Sequence, residues 1–221
     1  MASLFSACGP AGETNSPEVV VASQGFELTS GDTGLVVRAQ TPDEAYAYVS
    51  SLLRDMEFFR ANGYNVTLPT HAEFRADASP RGTAKTFKSQ VYSASDFERG
   101  MKALEANREA LQQVLDWFVE APDAKGIRRY ARYEIILTLY GPGGMYDARS
   151  GAITLQTTVS GFFKGEGGVP TLFHEMLHLA VEEGIVQRFG LSHWEKERLV
   201  DLLSQTAFDS LRLSYRMQPR G

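Results

Sequence analysis

The chain has 221 residues, of which 43% are hydrophobic and 22% charged, and its 22 Lys and Arg against 27 Asp and Glu give a net charge of −5. This is the composition of an ordinary globular protein with room for one sizeable core. Because no dense basic run occurs, neither a nucleic-acid partner nor an anionic membrane surface is expected. The single cysteine, Cys8, excludes an intramolecular disulfide and a zinc site built on several thiolates.

The first 22 residues are rich in Gly, Ser, Pro and Ala and have neither helical nor strand periodicity, which predicts a flexible leader. Within it, the stretch FSAC that ends at Cys8 resembles the lipobox of bacterial lipoproteins, in which a lipidated cysteine anchors the mature protein. The resemblance implies lipidation of Cys8 and an extracytoplasmic, membrane-anchored protein. An ordinary disordered N-terminus with an incidental cysteine is the equal alternative.

The next part of the chain is expected to be mostly helical. Residues 25–40 alternate polar and apolar side chains, which predicts one or two short strands. Residues 41–63 begin with a threonine cap and end at a glycine, and their apolar residues at helical spacing predict one helix. Residues 69–88 are polar and interrupted by proline and glycine, which predicts a long loop with a solvated His71. A long amphipathic helix is predicted over residues 93–121.

The period changes in the middle of the chain. Residues 128–144 and 151–160 are rich in β-branched and aromatic side chains, and a polar turn separates them, which predicts an antiparallel hairpin. The Gly-rich stretch 161–170 is expected to be a loop, either a flexible lip over a cleft or a plain connector. Pro170 marks the start of the next helix.

That helix carries the pattern HExxH at His174, Glu175 and His178. Residues four apart lie on one face of an α-helix, so both imidazoles can reach a single ion, and Glu175 can take a proton from a nearby water. The surrounding apolar residues favour a buried helix, where unpaired imidazoles and a carboxylate would be costly. The alternative is a metal-free core helix whose histidines make ordinary hydrogen bonds.

The segment after this helix is expected to turn back and form a second helix. Gly184 and Gly190 are expected to break the first helix. Ser192 and Glu195, three residues later, form a capping-box pattern, which gives Glu195 a structural role at the start of the second helix.

A catalytic zinc needs a third protein ligand and keeps its fourth position for water. Glu182 lies eight residues after His174, a rise of about 12 Å along one helix, so it is not expected to share an ion with both histidines. Glu197 is the acid that remains, inside the second helix. Asp201 lies one turn after Glu197 on the same face.

At this point the sequence resembles a known family of zinc peptidases. HExxH followed after eighteen residues by Glu197 resembles the spacing of aminopeptidase N-like enzymes, and Trp194 matches the first position of their Trp-x-x-Glu. Glu197 and Asp201 also resemble the ExxxD of thermolysin-like and neprilysin-like enzymes. The aminopeptidase motif Gly-x-Met-Glu-Asn is not found in the chain, so an exopeptidase activity is not implied.

The resemblance implies a gluzincin-type zinc metallopeptidase of class α+β. Its zincin-like core would hold a small, mostly antiparallel sheet and the HExxH helix in one domain over residues 23–221. Residues 23–125 would be the mostly helical part, and residues 126–221 would hold the hairpin and the active-site helices. The implied roles are zinc ligation by His174, His178 and Glu197, general base catalysis by Glu175, and orientation of His174 by Asp201.

The substrate of such an enzyme would be a peptide or protein, paired along residues 152–158 as the edge strand. Peptide hydrolysis also needs a hydrogen-bond donor for the oxyanion of the tetrahedral intermediate. The sequence offers four candidates without choosing among them: His193, Tyr215, Tyr140 and Tyr146. A zinc-containing binding or scaffolding domain without turnover is the alternative function, although such a domain would have no chemical need for the base Glu175.

Overall fold

The chain is described from a computed structural model. Its described residues are 25–78, 81–120, 126–164 and 167–211. The predicted leader over residues 1–22 with Cys8, and the candidate Tyr215, lie outside them. Over the described ranges the fold is α+β, with seven α-helices and a mixed sheet of five strands. None of the helices in these ranges combines the length and hydropathy that crossing a bilayer requires.

The five strands form one sheet in the order β1-β2-β3-β5-β4. They are β1 (Phe26–Ser30), β2 (Thr33–Ala39), β3 (Arg132–Thr138), β4 (Gly144–Asp147) and β5 (Ala152–Gln156). The pairs β1/β2 and β4/β5 are antiparallel, whereas β2/β3 and β3/β5 are parallel. The short strands predicted over residues 25–40 are therefore confirmed as the β1/β2 hairpin.

The prediction that residues 128–144 pair with residues 151–160 as an antiparallel hairpin is wrong. The chain turns at Gly141, where φ is +111°, and forms the extra strand β4 before β5 begins, so β3 and β5 run parallel. A second turn at Gly151, with φ of +76°, closes the β4/β5 hairpin. The sheet is consequently mixed rather than mostly antiparallel. The strand predicted as the edge, residues 152–158, lies inside the sheet, and the edge strand on that side is β4.

The helices differ from the predicted ones mainly by being divided. They are α1 (Pro42–Arg54), α2 (Met56–Ala61), α3 (Ala84–Gln90), α4 (Glu98–Glu105), α5 (Arg108–Glu120), α6 (Gly168–Val181) and α7 (His193–Leu211). Asn107 interrupts the predicted long helix because its side chain donates to the carbonyl of Ala103. The prediction of a loop over residues 69–88 is wrong at its end, where α3 begins; Thr83 caps this helix, and its Phe87 is buried against Phe74.

The main core lies on one face of the sheet. Alternate strand residues such as Val37, Ile135 and Ile153 are fully buried there, while their neighbours are only partly covered. This period-two burial is expected for a sheet with one packed face. Helices α5 and α6 cover that face, and α7 packs on α6.

The link between α6 and α7 fixes how the two helices meet. The helical chain does not break at Gly184 as predicted but continues through a π-helical segment, Glu182–Gln187, and turns at Gly190, where φ is +63°. A Cβ on Gly184 would lie 2.2 Å from the carbonyl oxygen of Gly126, so this close backbone approach requires glycine. The predicted capping box is confirmed: Ser192 N donates to Glu195, and Glu195 N donates to the Ser192 hydroxyl.

A network of ion pairs centred on Arg38 connects β2, β3 and the start of α1. The Arg38 guanidinium donates to both carboxylate oxygens of Glu44, at 2.8 and 2.7 Å, and to Glu134 at 2.7 Å. Glu44 also accepts from Thr41 N and completes the capping box of α1. The bond from Arg38 lowers the pKa of Glu44 to about 2.

Glu44→Gln is expected to destabilise the protein in a pH-dependent way, because glutamine can keep the capping box but loses the ion pair. Since the folded pKa is depressed, the stabilisation is present above the unfolded value of 4.5 and is lost as the pH falls towards 2. The Glu44 side chain is 41% exposed, so solvent screens the pair and the loss at pH 7 should be about 1 kcal/mol. Urea unfolding at pH 7 and at acidic pH measures it, with exposed Glu57→Gln on α2 as an unaffected control.

Candidate metal centre

The site begins with a helix that is buried on all sides. Every residue of α6 from Leu172 to Val181 is buried, including the polar side chains of His174, Glu175 and His178. An amphipathic surface helix would turn such groups to water. Buried imidazoles and carboxylates instead need partners inside the protein.

Glu197 from α7 meets the two histidines at one point. Nε2 of His178 lies 3.0 Å from Nε2 of His174 and 3.3 Å from Oε2 of Glu197. Nε2 of His174 lies 3.4 Å from the same carboxylate oxygen. Three ligand atoms from three buried side chains thus form a nearly equilateral triangle, and these residues form a group that could hold a metal ion.

The size of this triangle fits a tetrahedral ion. Metal bonds of about 2.0 Å in a tetrahedron place neighbouring ligand atoms about 3.3 Å apart. The three measured separations, 3.0, 3.3 and 3.4 Å, lie around that length. Hydrogen bonds alone satisfy these three atoms less well than a metal ion would. The two imidazole nitrogens point at each other and at the same carboxylate oxygen, so their protons would compete for one small space.

The electrostatics of the triangle favour a cation. Burial lowers the pKa of His178 to about 4, which keeps this imidazole neutral. Burial opposes the charged form of His174 too, but the bond from Glu197 and the nearby acids raise the pKa of His174. Despite its burial, the two histidine bonds lower the pKa of Glu197 below its ordinary value. The triangle therefore holds an ionised carboxylate, which attracts positive charge. A divalent cation can supply that charge in place of a proton on His174.

The surroundings of the two histidines differ. Oδ1 of the buried Asp201 lies 3.8 Å from Nδ1 of His174, so the predicted partner stands behind that ring at ion-pair distance. The ring of Tyr146 stacks on His178, with centroids 4.9 Å apart and an interplanar angle of 8°. Within the described ranges, Nδ1 of His178 has no hydrogen-bond acceptor. Stacking therefore orients the second imidazole, whereas a carboxylate lies behind the first.

Glu175 lies beside the triangle against the edge strand. A Cβ on Gly144 would come within 2.4 Å of Oε1 of Glu175, so only glycine leaves room for the carboxylate at this point of β4. Burial raises the pKa of Glu175 to about 7, and His174 partly offsets that rise. The side chain can therefore both accept and release a proton near neutral pH.

An open cleft of about 520 Å³ reaches the triangle and Glu175. Its walls come from α2, β4 and the starts of α6 and α7, and they include Phe58, Met145, Tyr146, Trp194 and Lys196. The walls are mainly apolar, with a few polar groups close to the triangle. That combination is usual for a ligand site.

Two of the four predicted oxyanion donors lie in this cleft. His193 lines it, with Nδ1 3.7 Å from Oε1 of Glu197. Tyr146 lines it too, but its hydroxyl donates to Glu182 and accepts from Lys196. Tyr140 lies elsewhere, packed on Phe87.

Tyr64 is a residue of the site that the sequence did not indicate. Its hydroxyl lies 2.9 Å from Nε2 of His193, and it lines the same cleft. Burial, together with the charges of Glu197 and Glu175, raises the pKa of Tyr64, so the phenol keeps its proton. The only local signal was its place directly after Gly63, where the predicted helix ends.

Comparison with known proteins adds no relative to this picture. No protein-family model, no curated protein and no solved structure matches the chain at a significant level. What the described residues do show is a buried group, His174, His178 and Glu197, that could bind a metal ion.

Glu197→Ala is expected to remove cation binding, because it opens one corner of the triangle. Loss of a direct ligand should lower the affinity by more than the roughly 100-fold seen for loss of an outer partner. Zinc titration by calorimetry and metal analysis of the purified protein provide the measurement. The matched control is Asp209→Ala, which removes an exposed carboxylate near the far end of the same helix and leaves the cap intact. Equal zinc binding by both variants would contradict the assignment of Glu197.

Proposed function

We propose that this protein is a zinc-dependent peptidase of the gluzincin type, with Glu175 as its general base. One observation carries the proposal: three ligand atoms at tetrahedral spacing lie beside a buried carboxylate at the end of an open cleft. The residues that would hold the ion are His174, His178 and Glu197. The α+β fold, with the HExxH helix packed under a sheet whose edge strand lies next to it, agrees with a zincin-like core.

Zinc is the ion that suits this donor set best. Two imidazoles and one carboxylate, with one position left open, form a known arrangement of catalytic zinc, whereas magnesium and calcium prefer oxygen ligands throughout. When bound, zinc would act as a Lewis acid that polarises the substrate carbonyl and acidifies a water. The neutral His178 and the ionised Glu197 are already in the protonation states that ligands need.

Glu175 is suited to the proton transfers of amide hydrolysis. A general base works best when its pKa lies near the working pH, and burial brings the pKa of Glu175 to about 7. The carboxylate takes a proton from the attacking water and passes it to the amine that leaves. Its position beside Gly144 keeps it at the wall where a substrate backbone would lie.

The edge strand that would pair with the substrate is β4 rather than the predicted residues 152–158. The carbonyl of Gly143 accepts from Gln156 N and so faces β5. Because backbone groups alternate in direction along a strand, those of Gly144 and Tyr146 face the open side. An extended peptide could add there as a further strand, with its backbone held close to Glu175.

Tyr64 is the donor that we assign to the oxyanion, and His193 orients it. The two side chains are hydrogen-bonded to each other, and the other ring nitrogen of His193 faces Glu197. When Nε2 of His193 donates to the Tyr64 oxygen, the phenol, which stays protonated, can direct its own proton at the reacting carbonyl oxygen. Tyr146 is less suited, because Glu182 already accepts its proton.

Glu175→Gln is expected to retain zinc and to lose cleavage of an unfolded protein such as fluorophore-labelled denatured casein. Loss of general base catalysis should lower kcat by about 100-fold to 10,000-fold. Glu183→Gln, an exposed glutamate paired with Arg128, is the control and should cleave like the parent. Undiminished cleavage by Glu175→Gln would exclude the mechanism, and a parent that binds zinc but cleaves nothing would indicate the binding domain instead.

Tyr64→Phe is expected to lower kcat with little change in KM or zinc content, because its hydroxyl acts on charge that develops only in the transition state. The size of the effect should be about 100-fold to 1,000-fold, as for removal of one oxyanion donor. Tyr46→Phe, whose ring packs on Phe74 away from the cleft, serves as the comparison and should be silent. If both variants are equally active, Tyr64 has no part in the chemistry.

A further inference from the structure

A second cavity, of about 560 Å³, lies next to the cleft of the metal centre. The apolar side chains that line it come from four separate segments of the chain. They include Leu68, Val91, Leu139, Tyr140, Val159 and Phe162. None of the metal-binding group lines this cavity, so the proposed zinc chemistry does not explain it.

The two cavities meet at Lys164, which lines both. Beneath it, the backbones of Thr67 and Gly141 form an isolated antiparallel bridge, with both N–H to carbonyl distances at 2.9 Å. The Lys164 ammonium donates to the carbonyls of Asn65 and Gly141 and so lies across this bridge. The chain turns at Gly141, and the next two residues, Pro142 and Gly143, line the first cleft. The two cavities therefore lie side by side and share Lys164 as a wall residue.

The rim of the second cavity displays apolar side chains on an ordered turn. Thr158 N donates to the carbonyl of Phe162, and Phe162 N donates to the Thr158 hydroxyl. This turn holds Val159 and Phe162 outward, with exposed fractions of 53% and 77%. Neighbouring exposed apolar side chains at the rim of an apolar cavity are typical of a binding surface.

The chemistry at the junction suits a polypeptide backbone. Lys164 supplies a cation whose described partners are all carbonyl or hydroxyl oxygens, and burial lowers its pKa. Such a group can also donate to carbonyls of a bound chain. The apolar walls beyond it can take alternate side chains of an extended segment. A ligand that starts at β4 and continues past Lys164 would bury both Val159 and Phe162.

We propose that the second cavity binds the continuation of the polypeptide whose scissile bond lies at the metal centre. The substrate class is then a long unfolded chain, cut internally, rather than a dipeptide or a free terminus. This inference rests on the proposed peptidase function, but it concerns residues that lie away from the zinc ligands and the base. In this inference, Val159 and Phe162 contact only long substrates, and so they select long peptides over short ones.

The test measures binding by Glu175→Gln protein, so that bound peptide is not cut. The probes are fluorescein-labelled pools of random-sequence peptides of about 5 and about 15 residues, the latter roughly 50 Å long when extended. Fluorescence anisotropy should show the long pool binding about tenfold more tightly. Adding Phe162→Ser should remove most of that advantage. Phe189→Ser, which replaces a 67% exposed phenylalanine that lines neither cavity, is the matched control and should leave it unchanged.

The results separate this inference from the proposed function. Equal binding of both pools, or equal losses in the two phenylalanine variants, would overturn the role of the second cavity while leaving the peptidase proposal intact. Failure of the peptidase proposal shows itself differently, as zinc-loaded parent protein that cuts neither pool. A length advantage that depends on Phe162 but not on Phe189 supports binding of one chain across both cavities.

Discussion

The convergence of His174, His178 and Glu197 on one point is the constraint on which the rest of the structure depends. An α-helix buried on every side tolerates imidazoles and a carboxylate only if a neighbouring element brings them a partner. That element is α7, and its placement requires the π-helical segment, the close backbone approach at Gly184, and the Ser192 cap. The α6–α7 link therefore has the geometry that brings a carboxylate to the two histidines.

The local parts of the site were predictable from sequence because their geometry is set within one helix or at one cap. The spacing of His174 and His178 places both rings on one face whatever the rest of the chain does. Ser192 and Glu195 likewise fix the start of α7 locally, which left Glu197 as the available acid. The structure places that carboxylate at the histidines, with Asp201 one turn further along.

The non-local parts were not predictable, because nothing in a single sequence records which distant segments meet. Tyr64 reaches His193 across 129 positions, and a tyrosine after a glycine carries no sign of that contact. The parallel pairing of β3 with β5 depends on β4, whose four residues are too few for a clear pattern. For Phe87, burial against Phe74 and α1 turned a polar, interrupted stretch into a helix.

One residue of the edge strand β4, Gly144, affects both the sheet and the proposed chemistry. Gly144 turns its backbone groups to the open side of the sheet, where a substrate strand would pair, and its missing side chain makes room for Glu175. Any other residue would push the carboxylate away from the strand or the strand out of the sheet. In the proposed function the base and the substrate backbone therefore share one wall. Under that proposal, the bond to be cut would lie next to the base because the same glycine positions both.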